Sequence, residues 1–326
     1  MNLLLIGAGQ LGSRHLQACL KLKNQLNIYV VDNSENSLAI AEDRANQIDM
    51  GAAHNLFYLK NLDLVAEKNF EYMIIATGAS VRYVILAAAL ERFNVRYTIF
   101  EKVLFQDIES YFNATEILDK NNVTAFVNCP LRVYPFYKMV KSKYISKNMP
   151  TKLIYHAGEW CGLACNAIHF IDLVHYLTES EIEEVSVKEL DSSILQSKRP
   201  GYIEFTGTLR ALFKDGSQIS MNSIKGSAEN SVLELTNGDN KIIIDELTGK
   251  YCVYVGNNLV EDGQYDLVYQ SNLTNVIIEQ LEYNGSCDLI DYNKSRVLHE
   301  MLLKALLEHY NSINVNVAYM KSLPIT

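Results

Sequence analysis

Short apolar runs alternate with amphipathic stretches from residue 2 to residue 127. The runs have the length of buried strands, and the stretches between them carry apolar residues at helical spacing. This alternation predicts a doubly wound α/β domain with a parallel sheet over residues 1–125, whose ligand binds at the carboxyl ends of the strands. The predicted strands are 2–6, 27–32, 55–59, 72–76, 97–100 and 123–127, and the predicted helices are 13–23, 34–47, 81–93 and 108–121.

The pattern changes in the second half, where residues 203–213 follow a two-residue period of mostly apolar and mostly polar positions. Asp215-Gly216 and Asn237-Gly238 are dipeptides typical of hairpin turns. We therefore predict a second domain, residues 126–326, of α+β class with a largely antiparallel sheet. One face of this sheet is polar or mixed, so it meets either solvent or a second subunit. Further strands are expected at 217–223, 232–236, 241–245 and 251–255, and helices at 271–283 and 294–310.

The first predicted strand runs directly into a glycine-rich turn, Gly7-Ala8-Gly9-Gln10-Leu11-Gly12. In a dinucleotide-binding fingerprint Gly7 makes the tight bend, Gly9 lets a pyrophosphate approach the main chain, and Gly12 lets the helix pack on the strand. Asp32 ends the second strand about twenty residues later, where its carboxylate would bind ribose hydroxyls and repel a 2′-phosphate. This favours NAD over NADP. A glycine turn in another kind of α/β protein is the alternative, which the strand, helix and acid together disfavour.

Composition restricts the partners. The chain has 326 residues, of which 48% are hydrophobic and 21% are charged, and its net charge is −9. Without a basic run, this charge argues against nucleic acid. The N-terminus lacks a cationic segment, no apolar stretch is long enough to span a membrane, and the six cysteines form no CxxC pair. We expect a cytoplasmic protein with reduced thiols and no nucleic-acid or membrane partner.

Glu101 and Lys102 follow the predicted strand at 97–100. A lysine directly after a buried parallel strand would lie beside the nicotinamide ring, where an amine can transfer a proton. Thr77 and Gly78 end the strand at 72–76 and are expected to face the same crevice. An acid–lysine pair at a strand end is also typical of a surface salt bridge, which is the alternative interpretation.

A second stretch with candidate chemistry is predicted to be helical from about residue 164. Cys165, His169, Asp172 and Tyr176 then recur on one face at i, i+4, i+7 and i+11. His169 is a candidate general base with Asp172 as its orienting acid, although a histidine in an apolar helix is commonly a core residue. Cys161, Cys165 and His169 have the spacing of half a zinc site. Because no second ligand pair lies at the usual offsets, no metal is predicted.

Together these stretches resemble the glucose–fructose oxidoreductase / inositol dehydrogenase (Gfo/Idh/MocA-type) family. The resemblance runs through the glycine turn, 76–78, 101–103, 128–135 and 169–172, and covers essentially the whole chain. It implies that Lys102 is the active-site lysine of the family's strand-end motif. It also implies that His169 exchanges the hydroxyl proton, and that Asn128 and Arg132 line the cleft.

The chain departs from the family pattern at four positions. Val103 and Gly78 stand where the family usually has proline, and Arg82 stands where it often has histidine. Cys165 replaces the family's aspartate four residues before the histidine. A neutral thiol does not orient or ionise like a carboxylate at pH 7, and Asn166 can add a hydrogen bond but no charge.

The resemblance implies an NAD(P)-dependent oxidoreductase that transfers a hydride between the nicotinamide and a secondary alcohol of a sugar, cyclitol or nucleotide-linked sugar. It also implies a homo-oligomer, a dimer or tetramer, that pairs through the C-terminal sheet. The predicted catalytic residues are Lys102 and His169. The predicted cofactor-binding residues are Gly7, Gly9, Gln10, Leu11, Gly12, Asp32, Asn33, Thr77, Gly78, Glu101, Lys102 and Asn128, and the predicted substrate-binding residues are Arg132, Trp160, Cys165, Asn166 and Asp172.

Two other functions stay open from the sequence. The first is a non-catalytic dinucleotide-binding sensor or regulatory protein of the same fold, which the cysteine at position 165 favours and the retained Lys102 and His169 disfavour. The second is a redox-assisted elimination or hydrolysis that keeps the cofactor bound and produces no net oxidation.

Overall fold

The structure is a computed structural model that describes residues 1–158, 162–224, 226–227, 231–314 and 318–326. Its elements follow the chain as β1 (Asn2–Ile6), α1 (Gln10–Cys19), β2 (Asn27–Val31), α2 (Glu35–Ala45), β3 (Asn55–Leu59), β4 (Asn69–Ile75), α3 (Ala79–Arg92), β5 (Asn94–Phe100), α4 (Ile108–Lys120), β6 (Thr124–Val127), α5 (Pro135–Tyr144), β7 (Thr151–Ala157), α6 (Leu163–Thr178), β8 (Ile182–Gln196), β9 (Ile203–Phe213), β10 (Gln218–Ser223), β11 (Val232–Asn237), β12 (Asn240–Asp245), β13 (Lys250–Val255), β14 (Asn258–Gln264), α7 (Thr274–Asn284), β15 (Ile290–Asp291) and α8 (Tyr292–Ile313).

These elements form two compact units. Unit 1 comprises Met1–Phe105, Glu109–Asn128 and Val268–Ser295, and unit 2 comprises Gln106–Ile108, Cys129–Leu267 and Arg296–Thr326. The segment 268–295 therefore returns to unit 1 after a long excursion of the chain. The division into domains 1–125 and 126–326 stays a prediction.

Unit 1 contains a seven-stranded sheet in the order β15-β6-β5-β4-β1-β2-β3. Its strands are parallel except β15, which runs antiparallel to β6. The continuous apolar run of β1 is explained by complete burial of Leu3, Leu4 and Leu5, since a parallel sheet is covered on both faces. The strand order reverses between β1 and β4, the place where open α/β sheets bind their ligands. The predicted doubly wound parallel sheet is confirmed.

Unit 2 contains an eight-stranded sheet in the order β14-β13-β12-β11-β7-β10-β9-β8. All of its neighbouring strands are antiparallel except β7 and β10. The largely antiparallel second sheet is thereby confirmed. Gly216 and Gly238 have φ of +84° and +56° in the two hairpin turns, a conformation that glycine adopts readily and that the dipeptide signals predicted.

Several elements of unit 2 carried little sequence signal. β8 is 15 residues long, but its pairing with β9 shifts register at three points. Each shift interrupts the two-residue period by which a strand is recognised.

Within the described ranges, no helix is both long and apolar enough to cross a membrane.

The glycine turn of unit 1 is tightly packed at two of its three glycines. A Cβ built on Gly12 would lie 1.7 Å from the carbonyl oxygen of Gly7, and one built on Gly7, where φ is +96°, would lie 2.8 Å from the carbonyl carbon of Ala76. A Cβ on Gly9 would meet no atom within 4 Å. Packing of the protein therefore requires glycine at positions 7 and 12 but not at position 9.

We predict a large effect of alanine at position 12 and a small one at position 9. Gly12→Ala forces α1 away from β1 and should lower the free energy of unfolding by about 3 kcal/mol or prevent folding, as overpacking does. Gly9→Ala should change it by less than about 1 kcal/mol. Urea unfolding of both variants measures the difference, and equal losses would show that the turn is not packed as described.

Candidate functional site

The amino end of α1 is built to accept an anion. Gly9 is the N-cap residue of α1, and no side chain of the described residues caps the helix. Gly9 and Gln10 are exposed and Leu11 is half-buried. The first N–H groups of a helix lack partners within it, so they and the helix dipole favour a negative group at this end.

The carboxylate of Asp32 lies next to this turn. Its Oδ2 accepts a hydrogen bond from the N–H of Ala8 at 2.7 Å, and its Oδ1 accepts one from the N–H of Ser34 at 2.8 Å. Each oxygen retains a lone pair for a further donor, because a carboxylate oxygen can accept two hydrogen bonds. Asp32 is half-buried and Asn33 is exposed. Asp32 and the glycine turn are therefore brought together as the sequence predicted.

Glu101 is held in a buried polar network that the sequence did not predict. The Nε2 of His15 lies 2.8 Å from the Oε1 of Glu101, and the Nδ2 of Asn128 donates to the same oxygen at 2.6 Å. The Nδ1 of His15 contacts the Oγ1 of Thr274 at 2.8 Å, and Asn128 also donates to the Oε1 of Gln270. Glu101 is 4% exposed and His15 is 1% exposed, so the network lies in the interior of unit 1.

The network keeps Glu101 ionised. Burial alone raises the pKa of a carboxyl group, but the hydrogen bonds from His15 and Asn128 and the nearby ammonium of Lys102 outweigh burial and lower the pKa of Glu101. Glu101 and Asn128 were predicted to bind cofactor. In the structure both are buried and hydrogen-bonded to each other, and their contact with the cofactor stays a prediction. Lys102 is half-buried and follows β5.

Arg82 fixes the backbone around Lys102. Its guanidinium is 1% exposed and donates hydrogen bonds to the carbonyl oxygens of Thr77, Val103 and Leu104, the last at 3.0 Å. The Lys102–Val103 peptide bond is cis. Arg82 therefore joins the segments that follow β4 and β5, which carry the predicted site residues Thr77, Gly78 and Lys102.

In unit 2, Asp172 is paired with Arg132. The Nε of Arg132 lies 3.3 Å from the Oδ2 of Asp172, and the guanidinium lies over the ring of Tyr176 at 5.1 Å from its centre. Asp172 is fully buried, and neither carboxylate oxygen accepts a hydrogen bond from the described residues. The interpretation of Asp172 as the orienting acid of His169 is thus not supported, because its described partner is Arg132.

Burial raises the pKa of Asp172 to about 7, and the charge of Arg132 only partly offsets this effect. A carboxyl group that titrates near neutrality is a candidate for functional coupling. Asp172 is buried, and its described partner is the guanidinium of Arg132.

The remaining predicted residues of unit 2 lie on α6. Cys165, Asn166 and His169 are half-buried on this helix, which begins at Leu163 as the spacing predicted. Trp160 lies outside the described residues, as does Cys161. In the part of the chain that is described, no group of three or more His, Cys, Asp or Glu side chains could hold a metal ion. Lys102 belongs to unit 1 and His169 to unit 2.

Three residues that contact the predicted site residues were not predicted from the sequence, namely His15, Gln270 and Glu204. His15 lies between Arg14 and Leu16 in α1, and nothing in the sequence indicated that its side chain is buried. Gln270 lies in a segment assigned to the second domain. Glu204 stands at one of the polar positions of β9, which the sequence pattern assigns to the other face from the apolar ones. It is nevertheless only 2% exposed and accepts hydrogen bonds from the first turn of α6.

We predict that Arg82→Met destabilises the protein through three carbonyl oxygens. Methionine has similar length but no donor, so the carbonyl groups of Thr77, Val103 and Leu104 lose this partner in a buried place. The free energy of unfolding should fall by about 3 kcal/mol. Arg92→Met, on the exposed side of the same helix, is the control and should cost less than about 1 kcal/mol. Similar losses in both variants would contradict this role of Arg82.

Asp172 should make stability depend on pH in a defined direction. Because its pKa is raised to about 7, the folded protein keeps a proton that the unfolded chain releases near pH 4. The contribution of this proton to the free energy of unfolding is complete below pH 4. It decreases by up to about 4 kcal/mol as the pH rises to 7. In urea unfolding between pH 4 and 8, wild type should lose stability relative to Asp172→Asn up to pH 7 and not beyond. A difference that is constant with pH would contradict the assignment.

The N-terminal sequence matches a known family model. The model of the GFO_IDH_MocA family, described as an oxidoreductase family with an NAD-binding Rossmann fold, matches residues 1–129. Among curated protein sequences, no significant match to the chain was found.

Solved structures share the fold over nearly the whole chain. UDP-N-acetylglucosamine 3-dehydrogenase GnnA from Acidithiobacillus ferrooxidans has 16% identity and a TM-score of 0.69, covering 94% of this chain and 96% of that one. An oxidoreductase from Agrobacterium radiobacter, in complex with NAD+, L-tartaric acid and magnesium, has 14% identity and a TM-score of 0.72, with coverages of 97% and 99%. Biliverdin reductase from Synechocystis sp. PCC 6803, in complex with biliverdin and NADP+, has 12% identity and a TM-score of 0.70, with coverages of 94% and 98%.

At these identities the likeness establishes the fold, while the family model identifies the nucleotide-binding part. The family model that matches residues 1–129 is that of the Gfo/Idh/MocA oxidoreductases, the family that the sequence motifs resemble, and its description is an NAD-binding Rossmann fold.

Proposed function

We propose that the protein is an NAD-dependent oxidoreductase that acts on a secondary alcohol, or the corresponding ketone, of a sugar, cyclitol or nucleotide-linked sugar. The observation that carries this proposal is Gly9. The structure packs against Gly7 and Gly12 but leaves more than 4 Å around a Cβ at position 9. A glycine that the fold does not need, at the amino end of an uncapped helix among the described residues, is explained by close approach of a pyrophosphate.

The residues of unit 1 fit a dinucleotide. The N–H groups at the start of α1 would hold the pyrophosphate, and the free lone pairs of Asp32 would accept the adenosine ribose hydroxyls. The charge of Asp32 disfavours a 2′-phosphate, which supports NAD rather than NADP. When bound, NAD supplies a nicotinamide carbon that accepts or donates a hydride.

We assign the proton chemistry to Lys102 and His169. His169 takes the proton of the substrate hydroxyl as a general base, and Lys102 stabilises the alkoxide oxygen as a hydrogen-bond donor. Glu101 and Arg82 hold the backbone on either side of Lys102. Arg132, Cys165, Asn166 and Trp160 are proposed substrate contacts, while the buried Asp172 acts through Arg132.

The substrate class is supported by one structural relative. GnnA is by name a dehydrogenase of UDP-N-acetylglucosamine, whereas the biliverdin reductase structure contains a substrate of different chemistry on the same fold. Because fold alone does not fix function, the sugar assignment depends on the proton chemistry that we assign to Lys102 and His169. Pairing of subunits through the eight-stranded sheet stays a prediction.

The test separates binding from chemistry. Calorimetric titration with NADH should give saturable binding, and Gly9→Ala should weaken it at least about tenfold because the methyl group displaces the pyrophosphate. Lys102→Met and His169→Asn should bind NADH like wild type. With NAD+ and a panel of sugars, cyclitols and UDP-sugars, both should lose about 10²–10⁴-fold in the turnover that wild type shows. Lys143→Met, a surface variant on α5, is the control.

Retained turnover in Lys102→Met would refute the role of the lysine. The second candidate, a non-catalytic nucleotide sensor, is favoured by the thiol of Cys165, which does not act as a carboxylate does. Tight NADH binding with no turnover of any member of the panel would establish that candidate instead.

A further inference from the structure

The helix that carries His169 receives its N-terminal cap from a distant strand. The N-cap residue of α6 is Gly162, which has no side chain and a φ of +70°. The carboxylate of Glu204, on β9, accepts hydrogen bonds from the N–H of Ala164 at 2.8 Å and from the N–H of Cys165 at 3.2 Å. Glu204 therefore satisfies two of the N–H groups that every helix leaves without an internal partner.

The carboxylate is buried but well supplied with donors. Glu204 is 2% exposed, and burial raises its pKa. The thiol of Cys165 and the backbone N–H groups of Ala164, Cys165 and Phe205 oppose this effect. Each of these donors, and the positive end of the α6 dipole, favours the ionised carboxylate. The net effect raises the pKa of the Glu204 carboxyl group, so burial outweighs the donors. The first turn of α6 thus receives an acidic side chain from outside the helix.

We propose that Glu204 is a positioning residue of the candidate active site, which supplies the negative charge for the His169 face of α6 through Cys165. The proposal rests on the proposed function in taking His169 as the general base.

The spacing along α6 connects the two groups. Cys165 and His169 are four residues apart, so their Cβ atoms lie about 5–6 Å apart on one face. Cys165 bonds to Glu204 and is followed along this face by His169. A carboxylate near an imidazole favours the protonated ring, which is the state His169 reaches when it takes a hydroxyl proton. Beyond His169 on this face are Asp172, which is paired with Arg132, and Tyr176, whose ring lies under the Arg132 guanidinium.

The first experiment measures the titration of His169 and the reactivity of the Cys165 thiol in the absence of substrate. In Glu204→Gln, the titration midpoint of the His169 imidazole, followed by NMR and assigned with His169→Asn, should fall by about one pH unit. The alkylation rate of Cys165 by iodoacetamide at pH 7.5 should rise several-fold, because a thiolate no longer meets a carboxylate at the helix end. Cys252 and Cys287, both half-buried, are internal references whose rates should not change.

Moving the charge provides the decisive variant. In Glu204→Gln with Cys165→Asp, a carboxylate returns to the first turn of α6, and the His169 midpoint should return to the wild-type value. Glu189→Gln, which removes a surface carboxylate from β8, should leave both readouts unchanged. If Glu204→Gln does not fold, Glu204→Asp replaces it, and there the shorter side chain should give a smaller shift in the same direction.

The proposal is overturned if removing or withdrawing the carboxylate leaves the His169 midpoint and the Cys165 rate unchanged. It is also overturned if the double variant does not restore the midpoint. NADH binding is measured alongside each variant. Failure of wild type to bind NADH would refute the proposed function, whereas unchanged titration with normal NADH binding would refute only the role of Glu204.

Discussion

The close approach of α1 to β1 at the glycine turn is the constraint on which the rest of unit 1 depends. With 1.7 Å between a Cβ at Gly12 and the Gly7 oxygen, only glycine lets the helix start directly above the strand. This contact directs the helix N–H groups and the dipole toward the carboxyl end of the sheet. Asp32, which bonds to Ala8 within the same turn, then lies beside that positive end.

A buried polar layer of unit 1 lies around Glu101 and Arg82. Glu101 is held by His15 and Asn128, and the backbone after it is held by Arg82. Buried charges are costly unless they are paired and hydrogen-bonded, so such a layer is stable only as a complete set. In unit 2 the buried carboxyl group of Glu204 accepts hydrogen bonds from the first turn of α6.

The sequence predicted what depends on local order. The β1 run, the glycine turn and Asp32 lie within one βαβ segment, where spacing fixes geometry. The two-residue period of β9 likewise predicted its strand. Contacts between distant positions leave no such pattern. Thr274 lies 259 residues from His15, and Glu204 lies 40 residues from Ala164, so neither could be placed before the fold was known. The cysteine at position 165 was identified as a departure, but the carboxylate beside it was not.

The central claim is that a pyridine nucleotide binds across the carboxyl end of the unit 1 sheet. A crystal structure of the protein grown with NADH measures this most directly. We expect density for the pyrophosphate on the N–H groups of Gly9 and Gln10, and for the adenosine ribose hydroxyls on the carboxylate of Asp32. Nucleotide density at any other place, or an empty glycine turn at saturating NADH, would contradict the account.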